Sequence, residues 1–91
     1  MIKSFRSKAL KDLFLTGKSP KLDQKFIARC IRRLDVLDHA GMPEDMNIPG
    51  FNFHSLLGSP KRYTVHINGP WCITFEWRDG NAWAVDLEQY H

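Results

Sequence analysis

Four histidines, His39, His54, His66 and His91, are the side chains of this sequence best suited to chemistry near neutral pH, where imidazole gains and loses its proton. His39 follows a helical pattern and suits a structural place at that helix's C-terminal end, which favours positive charge. His66 falls on the outward alternation of a strand between Val65 and Ile67, the ordinary position of a surface residue. His54 stands near a strand end, just before Gly58-Ser59-Pro60; sites are often assembled there, although a solvated histidine is its default. The residues Glu88-Gln89-Tyr90-His91 set an imidazole beside a phenol, in a segment where fraying is the usual expectation. If the last strand pins it to the sheet, Tyr90 and His91 meet His54 and the basic pair Lys61-Arg62 in one cleft.

Such a cluster suits metal-independent cleavage of RNA. A base takes the proton of the ribose 2′-OH, cations stabilise the charged phosphorane, and an acid protonates the leaving 5′-oxygen. The scheme needs no cofactor and excludes DNA, which lacks that hydroxyl. Other chemistries lack their motifs: there is no Gly-rich phosphate loop, Ser nucleophile motif or H-E-x-x-H pattern. Cys30 and Cys72 are too few for a disulfide framework, and no Cys/His pair has zinc-site spacing; both are expected to be reduced, inert thiols.

The elements that must position these residues are legible from hydrophobic period. Ile2 to Phe5 suits a short first strand, and a helix follows in which Ser7 caps, Leu10, Leu13 and Phe14 share a face and Gly17 stops the chain. Ser19-Pro20 suggests the start of a second helix with Phe26, Ile27, Cys30, Ile31, Leu34 and Leu37 on its apolar side and Lys21, Lys25, Arg29, Arg32 and Arg33 mainly on the other. Ala40 to Gly50 breaks the pattern and predicts a loop across the surface. Beyond it the period becomes two. Phe51 and Phe53 oppose Asn52, His54 and Leu56; Tyr63, Val65 and Ile67 alternate with Arg62, Thr64 and His66; Trp71, Ile73, Phe75 and Trp77 alternate with Cys72, Thr74 and Glu76. Asn68-Gly69 and Asp79-Gly80 are turns, so the strands form an antiparallel meander with one buried face. The expected architecture is α+β, two N-terminal helices packed on a small, mainly antiparallel sheet.

Ninety-one residues, 43% apolar and 25% charged, suit one domain spanning 1–91 with an ordinary core. No apolar run approaches the roughly 20 residues that span a bilayer, and Met1 to Arg6 lacks a signal peptide's apolar stretch, so no membrane association and a cytoplasmic location are expected. The net charge of +3 is unevenly spread: residues 1–39 carry ten Lys or Arg against four Asp, residues 40–91 three against six acids. The first half is therefore the platform for a polyanion or an acidic partner, or simply a solvated helix surface.

Taken together, Ile2-Lys3-Ser4-Phe5, Leu10 to Phe14 with Gly17, His54-Ser55-Leu56-x-Gly58, Tyr63, Trp71-x-Ile73-Thr74-Phe75, Asp79-Gly80 and Tyr90-His91 resemble the HigB-type plasmid-maintenance killer proteins of the RelE/ParE toxin superfamily. The resemblance spans nearly the whole chain and is weakest between Lys18 and Gly50. It implies a RelE-like fold and a type II toxin that inhibits translation by cutting mRNA at the ribosome. It also implies a HigA-like helix-turn-helix antitoxin, whose complex with the toxin binds operator DNA. His54, Tyr90 and His91 match the family's functional positions: the histidines as acid and base in an order left open, Tyr90 positioning or stacking on substrate. Lys61 and Arg62 are added as phosphate contacts. Leu57 stands where the family often places Lys, Cys72 where it has Arg, and Gln89 where it has an acid. Loss of one preorganised charge costs on the order of 10²–10³ in rate in comparable settings. Two alternatives follow: a toxin that binds without cutting, as the ParE branch inhibits DNA gyrase, or a degenerate member acting only in the antitoxin and operator complex.

Overall fold

The computed structural model describes residues 1–20 and 22–89; the positions assigned above to Lys21, Tyr90 and His91 lie outside the described residues. Ser7 accepts from the backbone N–H of Leu10 at the start of α1 (Lys8–Thr16), and Gly17, at φ 75°, closes it by donating to Leu13 O. The second helix begins later than Ser19-Pro20 suggested. Ser19 and Leu22 are buried in the connection, Asp23 caps a 3-10 turn over Gln24–Phe26, and α2 runs from Ile27 to His39. Cys30, Leu34 and Leu37 form its buried stripe, while Ile31 is 41% exposed.

Arg33 departs from its expected outward position and is only 7% exposed. Its guanidinium reaches past α2 to the carbonyls of His66 and Gly50, which gives a buried charge the hydrogen bonds it requires. The predicted surface loop also turns inward. A 3-10 turn at Pro43–Met46 and the following residues bury Met46 and Phe51 in the core.

Four strands, β1 (His54–Leu56), β2 (Arg62–Asn68), β3 (Trp71–Arg78) and β4 (Asn81–Gln89), form an antiparallel sheet in the order β1-β2-β3-β4. The β3–β4 turn is Asp79-Gly80, both residues at positive φ as a tight hairpin demands. The β2–β3 turn falls on Gly69-Pro70, with Asn68 still paired to Trp71. Ile2 to Phe5 makes isolated parallel bridges to Ala82 and Val85 in place of a full strand. Between these bridges Ala84 has φ 49°, and its N–H donates to Ser4 Oγ, so the ladder is interrupted there.

Leu10, Leu13, Leu34 and Leu37 of the helices share one core with Val65, Ile67, Ile73, Phe75 and Val85 of the sheet, a two-layer α+β arrangement. The expectation of a single buried sheet face is too simple. Thr64, Cys72 and Thr74, which point the other way, are at most 7% exposed, and the Arg62 side chain lies across β3 onto Thr74.

Candidate active site

His54 opens β1 on the sheet face turned away from the helices, in register with Thr64, which in turn pairs with Thr74 and that with Asp86. The ring is exposed, and its Nδ1 lies 3.0 Å from Asn52 O. A carbonyl oxygen only accepts, so Nδ1 carries the hydrogen of this bond and the neutral ring has its lone pair on Nε2. Asn52 adopts φ 47°, a left-handed conformation that Asn tolerates, and this turn brings its carbonyl under the ring.

The Lys61-Arg62 pair is split by the sheet. Arg62 shares the His54 face, donating through Nη1 to Glu76 Oε2 at 3.1 Å and through Nη2 to Thr74 Oγ1 at 2.9 Å and Ala84 O at 2.8 Å. Arg6 approaches the same carboxylate at 3.5 Å. Lys61 instead lies with Nζ 5.3 Å from the centre of the Tyr63 ring, which stacks between Phe53 and Phe75 on the opposite alternation. Arg62 is thus a bound cation and Lys61 an exposed one.

His66, Cys72 and Glu88 form the next register row on the His54 face, and β4 ends with Gln89 opposite Trp71. The His66 ring is held by Nε2 donating to Gly69 O at 2.8 Å, which pins it to the β2–β3 turn. His39 sits in the last turn of α2, as expected, with Nδ1 2.8 Å from Asp35 O and 3.6 Å from Asp35 Oδ1. Both contacts hold its pKa above the usual imidazole value, the backbone hydrogen bond contributing most. The Cys30 thiol is pushed up to about 11 by burial, which makes it a core group and a poor nucleophile. Among the described residues no three His, Cys, Asp or Glu side chains gather as a metal site.

A second polar feature is legible in the sequence only as a basic helix face, without the cleft it lines. Arg29, Arg32 and Arg33 of α2 face Gly50, Phe51 and His66 across a cleft of about 470 Å³. The detectable signal was the i, i+3, i+4 spacing of these arginines, which places them side by side on a helix.

Two helices packed on one face of a four-stranded antiparallel sheet are a RelE-like arrangement. A family model described as the RelE-like toxin of type II toxin-antitoxin system HigB matches residues 3–91. An endoribonuclease HigB from Proteus vulgaris is 33% identical over 92 residues, covering 100% of each chain. A toxin HigB-1 from Vibrio cholerae serotype O1 is 29% identical over 93 residues, covering 99% of this chain and 98% of the relative. The chain belongs to the HigB-like toxin family, and membership in a type II system implies an antitoxin partner. No described helix is long and apolar enough to cross a membrane.

Proposed function

We propose that this chain, acting as one domain over residues 1–91, is a cytoplasmic endoribonuclease that cuts mRNA on the ribosome and so arrests translation. The observation that carries the reading is His54: exposed, fixed through Nδ1, with the Nε2 lone pair open to solvent on the sheet face. Such a nitrogen suits the base that takes the 2′-OH proton. His91 is then the acid for the 5′-oxygen, and Tyr90 positions the base to be cut. Full-length likeness to an endoribonuclease HigB supports the reaction class.

Lys61, exposed and near β1, is assigned to a substrate phosphate. Arg62 is assigned to the same charge field from behind, because its hydrogen bonds to Glu76, Thr74 and Ala84 hold the guanidinium in place while Glu76 offsets part of its charge. The partners in this reading are the ribosome with its mRNA, a HigA-like helix-turn-helix antitoxin, and operator DNA through the toxin-antitoxin complex.

The test is growth and mapping of mRNA 5′ ends after induction of the chain, of His54→Ala and of a form lacking His91, each without antitoxin. In-frame cuts that vanish in both altered forms are expected. Growth arrest without cuts would replace this function with a binding toxin, and no arrest would leave a partner-binding module.

A further inference from the structure

The three arginines of the α2 cleft differ from Arg62 in one respect: none has a carboxylate partner among the described residues. Among the described residues the ion pairs are Arg6–Glu76, Arg62–Glu76 and His39–Asp35. Arg33 instead donates to three neutral carbonyls, through Nε to His66 O at 2.6 Å, Nη1 to Arg29 O at 3.1 Å and Nη2 to Gly50 O at 3.3 Å. Arg29 Nη1 donates to Ile67 O at 3.2 Å, and the Arg32 guanidinium stands 5.5 Å from the centre of the Phe51 ring. Carbonyl oxygens orient guanidinium groups without neutralising them, so three positive charges converge on one cleft with no carboxylate of the described residues paired to them.

The cleft is built before any ligand arrives. Arg33 is buried, lies 4.3 Å from the Phe51 ring centre, and ties α2 to the end of β2 and to the Gly50 turn. Burial and the neighbouring Arg29 and Arg32 lower the Arg33 pKa, the mark of a cluster whose mutual repulsion an anion would relieve. Phe51 is 1% exposed and offers no face on which a base could stack. The chemistry on offer is therefore recognition of an oxyanion by forked donors, for which arginine is suited.

We propose that Arg29 and Arg32, on a platform fixed by Arg33, form a phosphate site that seats a backbone phosphate of a polynucleotide in a cleft that His54 does not line. Choosing RNA as that polynucleotide rests on the ribonuclease reading; the phosphate site itself does not. It gives the basic first half of the chain a defined point of attachment.

The test uses full-length protein made by cell-free synthesis, with a 2′-O-methyl RNA 12-mer that cannot be cleaved, the DNA of the same sequence, and inorganic phosphate as separate probes. Binding is read by fluorescence anisotropy against salt and by NMR of the arginine Nε–H signals. The expected result is that Arg29→Gln and Arg32→Gln each reduce the magnitude of the RNA salt-dependence slope by about 0.7, one phosphate contact apiece, while the Arg33 Nε–H signal shows an intact platform. RNA should shift the Arg29 and Arg32 signals at concentrations where inorganic phosphate does not. DNA matching RNA at this cleft also supports the site while removing its link to ribonuclease function. Unchanged slopes in both variants overturn the proposal, as does saturation of the cleft by inorganic phosphate with no further effect of RNA, or a stronger response to a Glu-rich peptide of equal charge.

Discussion

Arg62 and Glu76 stand directly opposite each other in the β2–β3 register, and Arg62 Nη1 meets Glu76 Oε2 at 3.1 Å with both side chains no more than 13% exposed. Removing either partner breaks a buried ion pair, with Glu76 keeping only the more exposed Arg6 at 3.5 Å. Arg62→Gln or Glu76→Gln should therefore cost on the order of 3–5 kcal/mol in urea unfolding, whereas the double change to Met and Leu should cost much less. A double-variant loss equal to the sum of the two single losses would show that the pair contributes little. A drop in toxicity of Arg62→Gln has to be interpreted against this loss of fold.

His54 gives the opposite pattern. Its ring is exposed and its hydrogen bond is to the local Asn52 carbonyl, so His54→Gln should change stability by no more than about 0.5 kcal/mol. Loss of a base in the cleavage step should lower the rate by roughly 10²–10⁴. Single-turnover cleavage on programmed ribosomes, with unfolding measured on the same sample, separates the two. Retained cleavage in a folded variant would remove His54 from the proton transfer.

Much of this layout was legible because it rests on local physics. Ser7 and Gly17 bound α1 through capping and a left-handed residue, Asp79-Gly80 forces the β3–β4 hairpin, and alternation in β2 and β3 separates Tyr63, Val65, Ile73 and Phe75 from their neighbours. What escaped depends on distant partners. Arg33 reads as a solvated helix residue until Gly50 and His66, 17 and 33 positions away, supply carbonyls for it. Arg62 reads as a free cation until the register sets it against Glu76. Met46 was hidden in a stretch whose glycines and prolines announce a loop, since turn residues say where the chain bends and not whether the bend packs inward. For the site, His54 and Lys61 were legible as exposed polar residues near a strand end, but the Tyr63 ring beside Lys61 and the Glu76 carboxylate on Arg62 are partners that alternation alone does not name.

Cys30 supplies a prediction in the alkaline range. Burial pushes its thiol from 9.0 up to about 11, so between these values the unfolded chain has lost a proton that the folded chain keeps. Stability must then fall as pH rises from about 9 to about 11. Thermal unfolding followed across that interval should show the decline, and Cys30→Ala, although less stable overall, should show a shallower one. Iodoacetamide should modify Cys30 at pH 8 no faster than the protein unfolds; faster modification in folded protein would contradict the burial.

His39 predicts a dependence of opposite origin in the neutral range. Its pKa is raised above 6.5 chiefly by the hydrogen bond to Asp35 O, with the Asp35 carboxylate and Asp38 adding to it, against the opposing effects of desolvation and the N-terminus. A cation favoured in the folded state stabilises it fully below the unfolded pKa, and that contribution disappears as pH rises through the folded value. The ring is exposed, so salt should weaken the carboxylate part and spare the hydrogen bond. NMR titration should therefore place His39 above His39 in a short peptide, with Asp35→Asn returning only part of the shift. A full return to the peptide value would mean that the carboxylate, rather than the helix carbonyl, holds the proton.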